Sequence, residues 1–156
     1  MRQTATHPEL QRLEPLVGEW LMDASIDGRL VARARTTFAW LAGGAFLLQH
    51  ADLEPDASTP GEWLDNAPFP VVSVTGLDDA AGTFTMLYAD GRGVSRVYET
   101  DVQDGIWTIR RAAPAFHQRF TGTIGRSGRT ITGRWEGSGD GETWTYDFDV
   151  TYRKVT

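Results

Sequence analysis

The stretch VYETDVQDGIWTIRR, residues 97–111, carries two runs of alternating apolar and polar side chains on either side of Asp104-Gly105. An Asp-Gly pair between such runs is typical of a two-residue β-hairpin turn, which fixes the residues that lie opposite each other. Glu99 then lies opposite Arg110, so opposite charges meet on one face. The other face pairs Val102 with Trp107, Thr100 with Ile109 and Tyr98 with Arg111.

The following hairpin extends the same inner face. A turn at Ser127-Gly128 pairs Ile124 with Ile131, Gly122 with Gly133 and Phe120 with Trp135. In AFHQRFTG, residues 115–122, this register directs Phe116, Gln118 and Phe120 inward and leaves His117 and Arg119 outside. A short turn at Ala113-Pro114 sets Arg111 opposite Phe116 and Ile109 opposite Gln118.

RWEGSGDGETW, residues 134–144, contains a second Asp-Gly pair, Asp140-Gly141. A two-residue turn there directs Tyr146 inward and sets Arg134 opposite Asp147 on the outer face. The inner pairs of this predicted hairpin are Trp135 with Tyr146, Gly133 with Phe148 and Ile131 with Val150.

The earlier strands continue the alternation. Phe84, Met86 and Tyr88 face inward and match Arg96 and Tyr98 if the loop between them has an odd length. The predicted inner residues of the first two strands are Trp20, Met22, Ala24, Ile26, Ala34, Thr36, Phe38 and Trp40. AFLLQHADL, residues 45–53, allows two registers. A three-residue loop directs Phe46, Leu48 and His50 inward, whereas a two-residue Gly43-Gly44 turn directs them outward.

The alternating segments predict ten strands, which no second helix interrupts. Consecutive strands should pair antiparallel, and closing ten of them into a barrel removes the exposed edges. We therefore predict an all-β fold, a single antiparallel up-and-down β-barrel domain over residues 1–156. The predicted strands are 19–27, 30–41, 45–53, 71–78, 82–89, 94–103, 106–112, 115–125, 129–137 and 142–154.

Two segments depart from this pattern. A short N-terminal helix is expected over residues 6–17, because Thr6 and Glu9 have capping-box spacing and Pro8 suits a first turn. Leu10, Leu13 and Leu16 form its apolar side, and Pro15 and Gly18 should end it. Residues 54–70 include four prolines and predict a long irregular loop, a candidate lid with Trp63 and Phe69.

Composition narrows the classes of function. The net charge of −6 disfavours nucleic acid as a partner, and the absence of cysteine excludes disulfides and thiolate chemistry. No apolar run is long enough to span a membrane, and the N terminus lacks the apolar core of a secretory signal. We expect a cytoplasmic protein. The sequence leaves a homodimer open as an oligomeric state.

The pattern PELxxLxxLxGxW, from Pro8 to Trp20, resembles the start of nitrobindins and other calycin-like proteins. Its Gly18-x-Trp20 step is similar to the first-strand signature of lipocalin-type barrels. Blocks along most of the chain resemble a calycin-like β-barrel family that is related to nitrobindins and to lipocalin- and fatty-acid-binding-type barrels. These blocks are WLAGGAFLLQH, GRGVSRVYE, FHQRFTG, ITGRWEGSGDGETW and DFDVTYRKV. The resemblance implies an interior cavity with a helix near one end, and it brings no established reaction.

Nitrobindins hold haem through a histidine on a late strand, and this sequence departs from that pattern. The last two strands contain no histidine, although imidazole is a usual axial ligand of haem. We therefore expect no haem and no other cofactor. The three histidines lie on separate elements without metal-ligand spacing, so no metal site is predicted.

The predicted inner face indicates binding of a small hydrophobic molecule, aromatic or anionic in character. An inward Arg96 favours an anionic group, and Tyr98 and Gln118 can orient it by hydrogen bonds. The alternatives for such an arginine are an internal structural pair or a guanidinium that reaches water at the mouth of the barrel. The predicted ligand-binding residues are Arg96, Tyr98, Gln118, Trp40, Phe38, Met86, Tyr88, Phe120, Trp135 and Tyr146.

The alternative is a cofactor-independent cyclase, isomerase or hydratase that acts on a hydrophobic substrate in the same cavity. Tyr98, His50 or a carboxylate would transfer protons, and Arg96 would stabilise developing negative charge. The predicted register offers no inward carboxylate pair. Phosphate-binding, dinucleotide-binding and hydrolase nucleophile motifs are absent from the sequence.

Overall fold

A computed structural model describes residues 7–54 and 68–155, and its ten strands form a closed antiparallel barrel. Each strand pairs with its neighbours along the chain, and the first pairs with the last. The predicted up-and-down architecture is therefore confirmed. The strands are β1 Gly18–Ile26, β2 Arg29–Leu41, β3 Phe46–Leu53, β4 Val71–Asp78, β5 Thr83–Asp90, β6 Ser95–Gln103, β7 Ile106–Arg111, β8 His117–Ile124, β9 Thr130–Ser138 and β10 Thr145–Lys154.

A 3₁₀ helix, Pro8–Leu16, precedes the barrel. It begins at His7, whose ring Nδ1 accepts a hydrogen bond from the Glu9 N–H; Thr6 lies outside the described residues. Leu10, Leu13 and Leu16 are buried, as the sequence predicts, whereas Pro15 lies inside the helix rather than ending it. Within 7–54 and 68–155, no helix has the length and apolar character needed to span a membrane.

Polar contacts hold this helix against one end of the barrel. The indole N–H of Trp20 donates to the Leu16 carbonyl at 2.9 Å, and the indole N–H of Trp40 donates to the Glu14 carboxylate at 2.8 Å. Arg12 pairs with Asp101 of β6 at 2.7 Å. The helix therefore closes the end of the barrel where β1 begins and where β2 and β6 end.

The predicted pairings of β5–β6, β6–β7 and β8–β9 are confirmed. Tyr88 lies opposite Arg96, Thr100 opposite Ile109, and Phe120 opposite Trp135. The β7–β8 pairing differs by two residues. Ile109 lies opposite Phe120 rather than Gln118, because the connection uses a longer turn closed by a Phe116 N–H to Ala113 carbonyl hydrogen bond. An even shift leaves every side chain on its predicted face.

A pair of glycines makes room for the ring of Phe120. Gly122 and Gly133 lie opposite each other on β8 and β9. A Cβ atom on either glycine would overlap the Phe120 ring. The ring therefore packs directly against the backbone of both strands. Any side chain at these two positions would occupy that space, which explains glycine in the interior of both strands.

The predicted pairing of β9 with β10 is wrong because of a β-bulge between Tyr146 and Phe148. Tyr146 lies opposite Glu136 on the outer face, and Arg134 lies opposite Asp149 rather than Asp147. The observed inner pairs are Trp135 with Phe148, Gly133 with Val150 and Ile131 with Tyr152. The extra residue in the bulge, Asp147, is among the residues that line the interior.

The structure also decides between the two registers of β3. Leu41 lies opposite Phe46 across the four residues 42–45, and this even-numbered loop gives the register of the Gly43-Gly44 alternative. Leu47 and Ala51 are buried on the inner face, and Gln49 lies between them. His50 is exposed on the outer face opposite Thr37.

Candidate functional site

The barrel encloses a cavity of about 330 Å³ on the side away from the helix. Its rim includes Pro68 and Phe69 before β4, Arg92 in the β5–β6 turn and Phe116 before β8. These connections lie at the end opposite the helix, so the mouth of the cavity is there. Trp63 and most of the candidate lid, residues 55–67, lie outside the described residues.

Six of the ten residues predicted to bind a ligand line this cavity: Arg96, Tyr98, Gln118, Met86, Tyr88 and Trp135. Phe38, Trp40 and Phe120 are buried in the packed core instead. Tyr146 is on the outer face, where its hydroxyl accepts from the Asp27 N–H and its ring lies under Arg134. The prediction that Tyr146 faces the cavity is therefore wrong. His50, the proposed proton-transfer group, cannot reach the cavity from the outer face.

Arg96, Tyr98 and Gln118 form one hydrogen-bonded cluster on the cavity wall. The Tyr98 hydroxyl donates to the Gln118 side-chain oxygen at 2.8 Å, and the Arg96 guanidinium reaches the same oxygen at 3.4 Å. The Arg96 guanidinium also lies over the Phe116 ring, 5.3 Å from its centroid. Among residues 7–54 and 68–155, no carboxylate forms an ion pair with Arg96. Its remaining donors are available to a ligand.

The second arginine at the cavity is paired with a carboxylate of the protein. Arg92 pairs with Asp90 at 2.8 Å, and the Tyr88 hydroxyl donates to the same carboxylate at 2.7 Å. Burial opposes ionisation of Asp90, but the hydrogen bonds from Arg92 and Tyr88 outweigh it and lower its pKa to about 2. This pair holds Tyr88 in place at the mouth. Of the two arginines that line the cavity, Arg96 is the one without a carboxylate partner in the described part of the chain.

Asp147 contributes a carboxylate to the cavity, although the predicted register places this residue on the outer face. It lines the mouth of the cavity as an exposed residue, and within the described part of the chain it forms no hydrogen bond or ion pair. Partial desolvation at this position raises its pKa. Arg134, its predicted partner, instead bonds to Asp149 at 2.8 Å on the outer face. The signal in the sequence is the run of glycine and polar residues from Ser138 to Thr143, which is too long to define one turn.

Deeper in the cavity, Tyr152 has a hydroxyl without a hydrogen-bond partner in the described residues. The side chain is 8 % exposed, and its ring packs against those of Trp20 and Trp107. Burial raises the pKa of this phenol. Gln49, another residue without a predicted role, accepts a hydrogen bond from the Ser73 hydroxyl at 2.8 Å. Continuing the alternation from Val150 would have identified Tyr152.

These side chains do not fit haem. The described lining contains no histidine, and the Tyr88 and Tyr98 hydroxyls are engaged with Asp90 and Gln118. Of the three lining tyrosines, only Tyr152 has a hydroxyl without a partner in the described residues. Its raised pKa opposes the phenolate form that would bind iron.

The two buried tyrosines should respond differently to loss of the hydroxyl. Tyr98→Phe should lower the unfolding free energy by about 1–2 kcal/mol, because the Gln118 oxygen loses its short hydrogen bond. Tyr152→Phe should change it by less than ~0.5 kcal/mol, because no protein hydrogen bond is broken. Urea denaturation followed by far-ultraviolet circular dichroism measures both. Equal losses would contradict the hydrogen bonding described for this site.

Neither a protein-family model nor a curated protein matches this sequence. The structure is similar to the crystal structure of Rv2717c from M. tuberculosis, with a TM-score of 0.65. The match covers 96 % of this chain and 99 % of that chain at 14 % sequence identity. At that identity the likeness shows that the two proteins share the barrel fold.

Proposed function

We propose that the barrel binds a small hydrophobic molecule that carries an anionic group. Arg96 carries this proposal, because its guanidinium borders an aromatic cavity without a carboxylate partner in the described residues. A cation in such surroundings is costly unless a counter-charge or hydrogen-bond acceptors compensate it. A carboxylate, enolate or phenolate of the ligand would supply both.

The other lining residues suit the apolar part of such a ligand. Tyr98 and Trp135 contact each other edge to face at 6.0 Å, and Met86 and Ile109 add flexible and aliphatic surface. Apolar walls with a few convergent polar groups are typical of small-molecule sites. The sequence resemblance to nitrobindins and lipocalin-type barrels agrees with a ligand in the barrel interior. Phe69, at the rim of the cavity, would add a further apolar contact to the ligand.

The test compares two aromatic probes that differ in charge. Anilinonaphthalene sulfonate is anionic, and phenylnaphthylamine is its neutral counterpart without the sulfonate. Arg96→Ala should weaken binding of the anionic probe about tenfold, equivalent to ~1.4 kcal/mol, and should leave the neutral probe unchanged. Fluorescence titration measures both dissociation constants.

Arg119→Ala is the matched control. Arg119 lies on the outer face, paired with Glu136 at 2.8 Å, so its loss should not affect either probe. Equal losses for both probes in Arg96→Ala would contradict pairing of Arg96 with an anion. Absence of saturable binding by either probe in the unmodified protein would contradict the proposed function itself.

A further inference from the structure

A second charged residue without an ion-pair partner in the described residues lines the cavity. It is Asp147, whose charge is opposite to that of Arg96. Three charged residues line the cavity in the described part of the chain: Arg92, Arg96 and Asp147. Arg92 is neutralised by Asp90, and Arg96 and Asp147 form no ion pair with each other. One cationic and one anionic group therefore border the same cavity, Asp147 at its exposed mouth, and neither has a counter-charge among the described residues.

The bulge in β10 places Asp147 there. In a regular antiparallel pairing its neighbours Tyr146 and Phe148 would share a face, and Asp147 would point outward. The extra residue instead leaves Tyr146 on the outer face and Phe148 on the inner wall. β-Bulges often redirect a side chain beside a functional site. The outer partner that Asp147 would have met, Arg134, is bound to Asp149.

The bulge is supported by the loop that precedes it. The Asp140 carboxylate accepts hydrogen bonds from the N–H groups of Thr143 and Glu142, both at 2.8 Å, and from the Ser138 hydroxyl at 3.0 Å. These bonds lower the pKa of Asp140 to about 2. The loop therefore has its own internal acceptor, and Asp147 is not needed to complete its hydrogen bonding.

The surroundings of Asp147 suit an ammonium group. Phe148, its neighbour in the chain, stacks on Trp135 with ring centroids 6.4 Å apart, and both rings line the cavity. Aromatic faces attract organic cations, and a carboxylate nearby adds a direct ion pair. Partial desolvation raises the pKa of Asp147, and a bound cation would reverse this by favouring the charged carboxylate.

We propose that Asp147 forms a second subsite that binds a basic nitrogen, so that the ligand of this cavity is amphoteric, with its acidic group at Arg96 and its amine at Asp147. This inference rests on the proposed function and specifies its ligand class. A single molecule bearing both charges compensates both unpartnered groups at once. A purely anionic ligand would leave Asp147 uncompensated and would add like charge to the same cavity.

Three dansyl compounds with the same five-carbon chain test the subsite. Dansylcadaverine ends in an ammonium group, dansylaminohexanoate ends in a carboxylate, and dansyl pentylamide has no charged end. Asp147→Asn should weaken binding of dansylcadaverine about tenfold and leave binding of the neutral compound unchanged. It should leave dansylaminohexanoate unchanged or tighten its binding. Arg96→Ala should weaken binding of dansylaminohexanoate, and it should leave dansylcadaverine binding unchanged or tighten it.

Asp52→Asn is the matched control, because Asp52 is exposed on the outer face of β3 opposite Arg35. The affinity of the Asp52→Asn variant for all three compounds should equal that of the unmodified protein. The circular dichroism spectrum and thermal midpoint of Asp147→Asn confirm that the variant folds, and Asp147→Glu should retain dansylcadaverine binding.

The outcomes separate this inference from the function on which it rests. If the neutral and anionic compounds bind but Asp147→Asn does not change the dissociation constant of dansylcadaverine, the second subsite is overturned and the binding function stands. If none of the three compounds binds the unmodified protein, the proposed function fails as well. Weaker binding of all three compounds to Asp147→Asn would indicate a structural role and would also overturn the subsite.

Discussion

Trp107→Ala should lower the unfolding free energy by about 3–5 kcal/mol, the usual loss for truncating a buried tryptophan. Trp107 is 2 % exposed and lies between the cavity and the core. Its ring meets those of Phe120, Tyr152 and Phe38 at centroid distances of 5.1, 5.7 and 5.9 Å. The variant also removes the indole hydrogen bond to the Thr100 hydroxyl.

Trp144→Ala provides the comparison for this loss. Trp144 lies over Arg119 on the outside of the barrel, with the guanidinium 4.1 Å from its ring centroid. Losing such a cation–π contact should lower the unfolding free energy by about 0.5–1 kcal/mol. Chemical denaturation followed by far-ultraviolet circular dichroism avoids dependence on tryptophan fluorescence. Similar losses in the two variants would show that Trp107 is not central to the core.

Ala24→Phe should weaken binding of anilinonaphthalene sulfonate about 100-fold, equivalent to ~2.7 kcal/mol, by filling the cavity. Ala24 is buried and lines the cavity from β1, opposite Val150 of β10. Its small side chain leaves space that a phenyl ring would occupy. Because the ring enters existing space, the fold should be retained, which the thermal midpoint verifies.

Ala39→Phe is the control for the filled cavity. Ala39 lies on the outer face of β2, so the same change there should leave probe affinity unaltered. Ala51→Phe fills the cavity from β3 and should reproduce the effect of Ala24→Phe if that variant proves unstable. Unchanged affinity in a folded Ala24→Phe or Ala51→Phe protein would place the probe elsewhere than the barrel interior.

Alternation and short turns determined most of the fold. Asp104-Gly105 and Ser127-Gly128 are turns with one dominant geometry, so the registers of β6–β7 and β8–β9 follow from residue numbers. From those registers, Tyr98 and Gln118 are correctly placed on the inner face. Arg96 follows from alternation along β6, and its pairing with Tyr88 agrees.

Local sequence could not determine the last hairpin. Asp140-Gly141 resembles a two-residue turn, but the Asp140 carboxylate caps the N–H groups of Glu142 and Thr143 in a longer loop. The competing hydrogen bonds of an Asp side chain therefore override the simplest turn. The length of the turn before β3 was also ambiguous from the sequence. An even number of residues, 42–45, lies between the paired Leu41 and Phe46, and His50 therefore faces outward.

The sequence by itself thus determined a ten-stranded antiparallel barrel with a helix at one end and Arg96, Tyr98 and Gln118 facing inward. Only the tertiary structure decided that Asp147 borders the cavity and that Tyr146 and His50 do not. The physical reason is that a strand has a side-chain period of two, so one extra residue in a loop or bulge reverses the faces that follow until a second extra residue restores them. Whether an extra residue is present depends on hydrogen bonds and packing between elements, such as the Tyr146 hydroxyl bonds to Asp27 and Asp149.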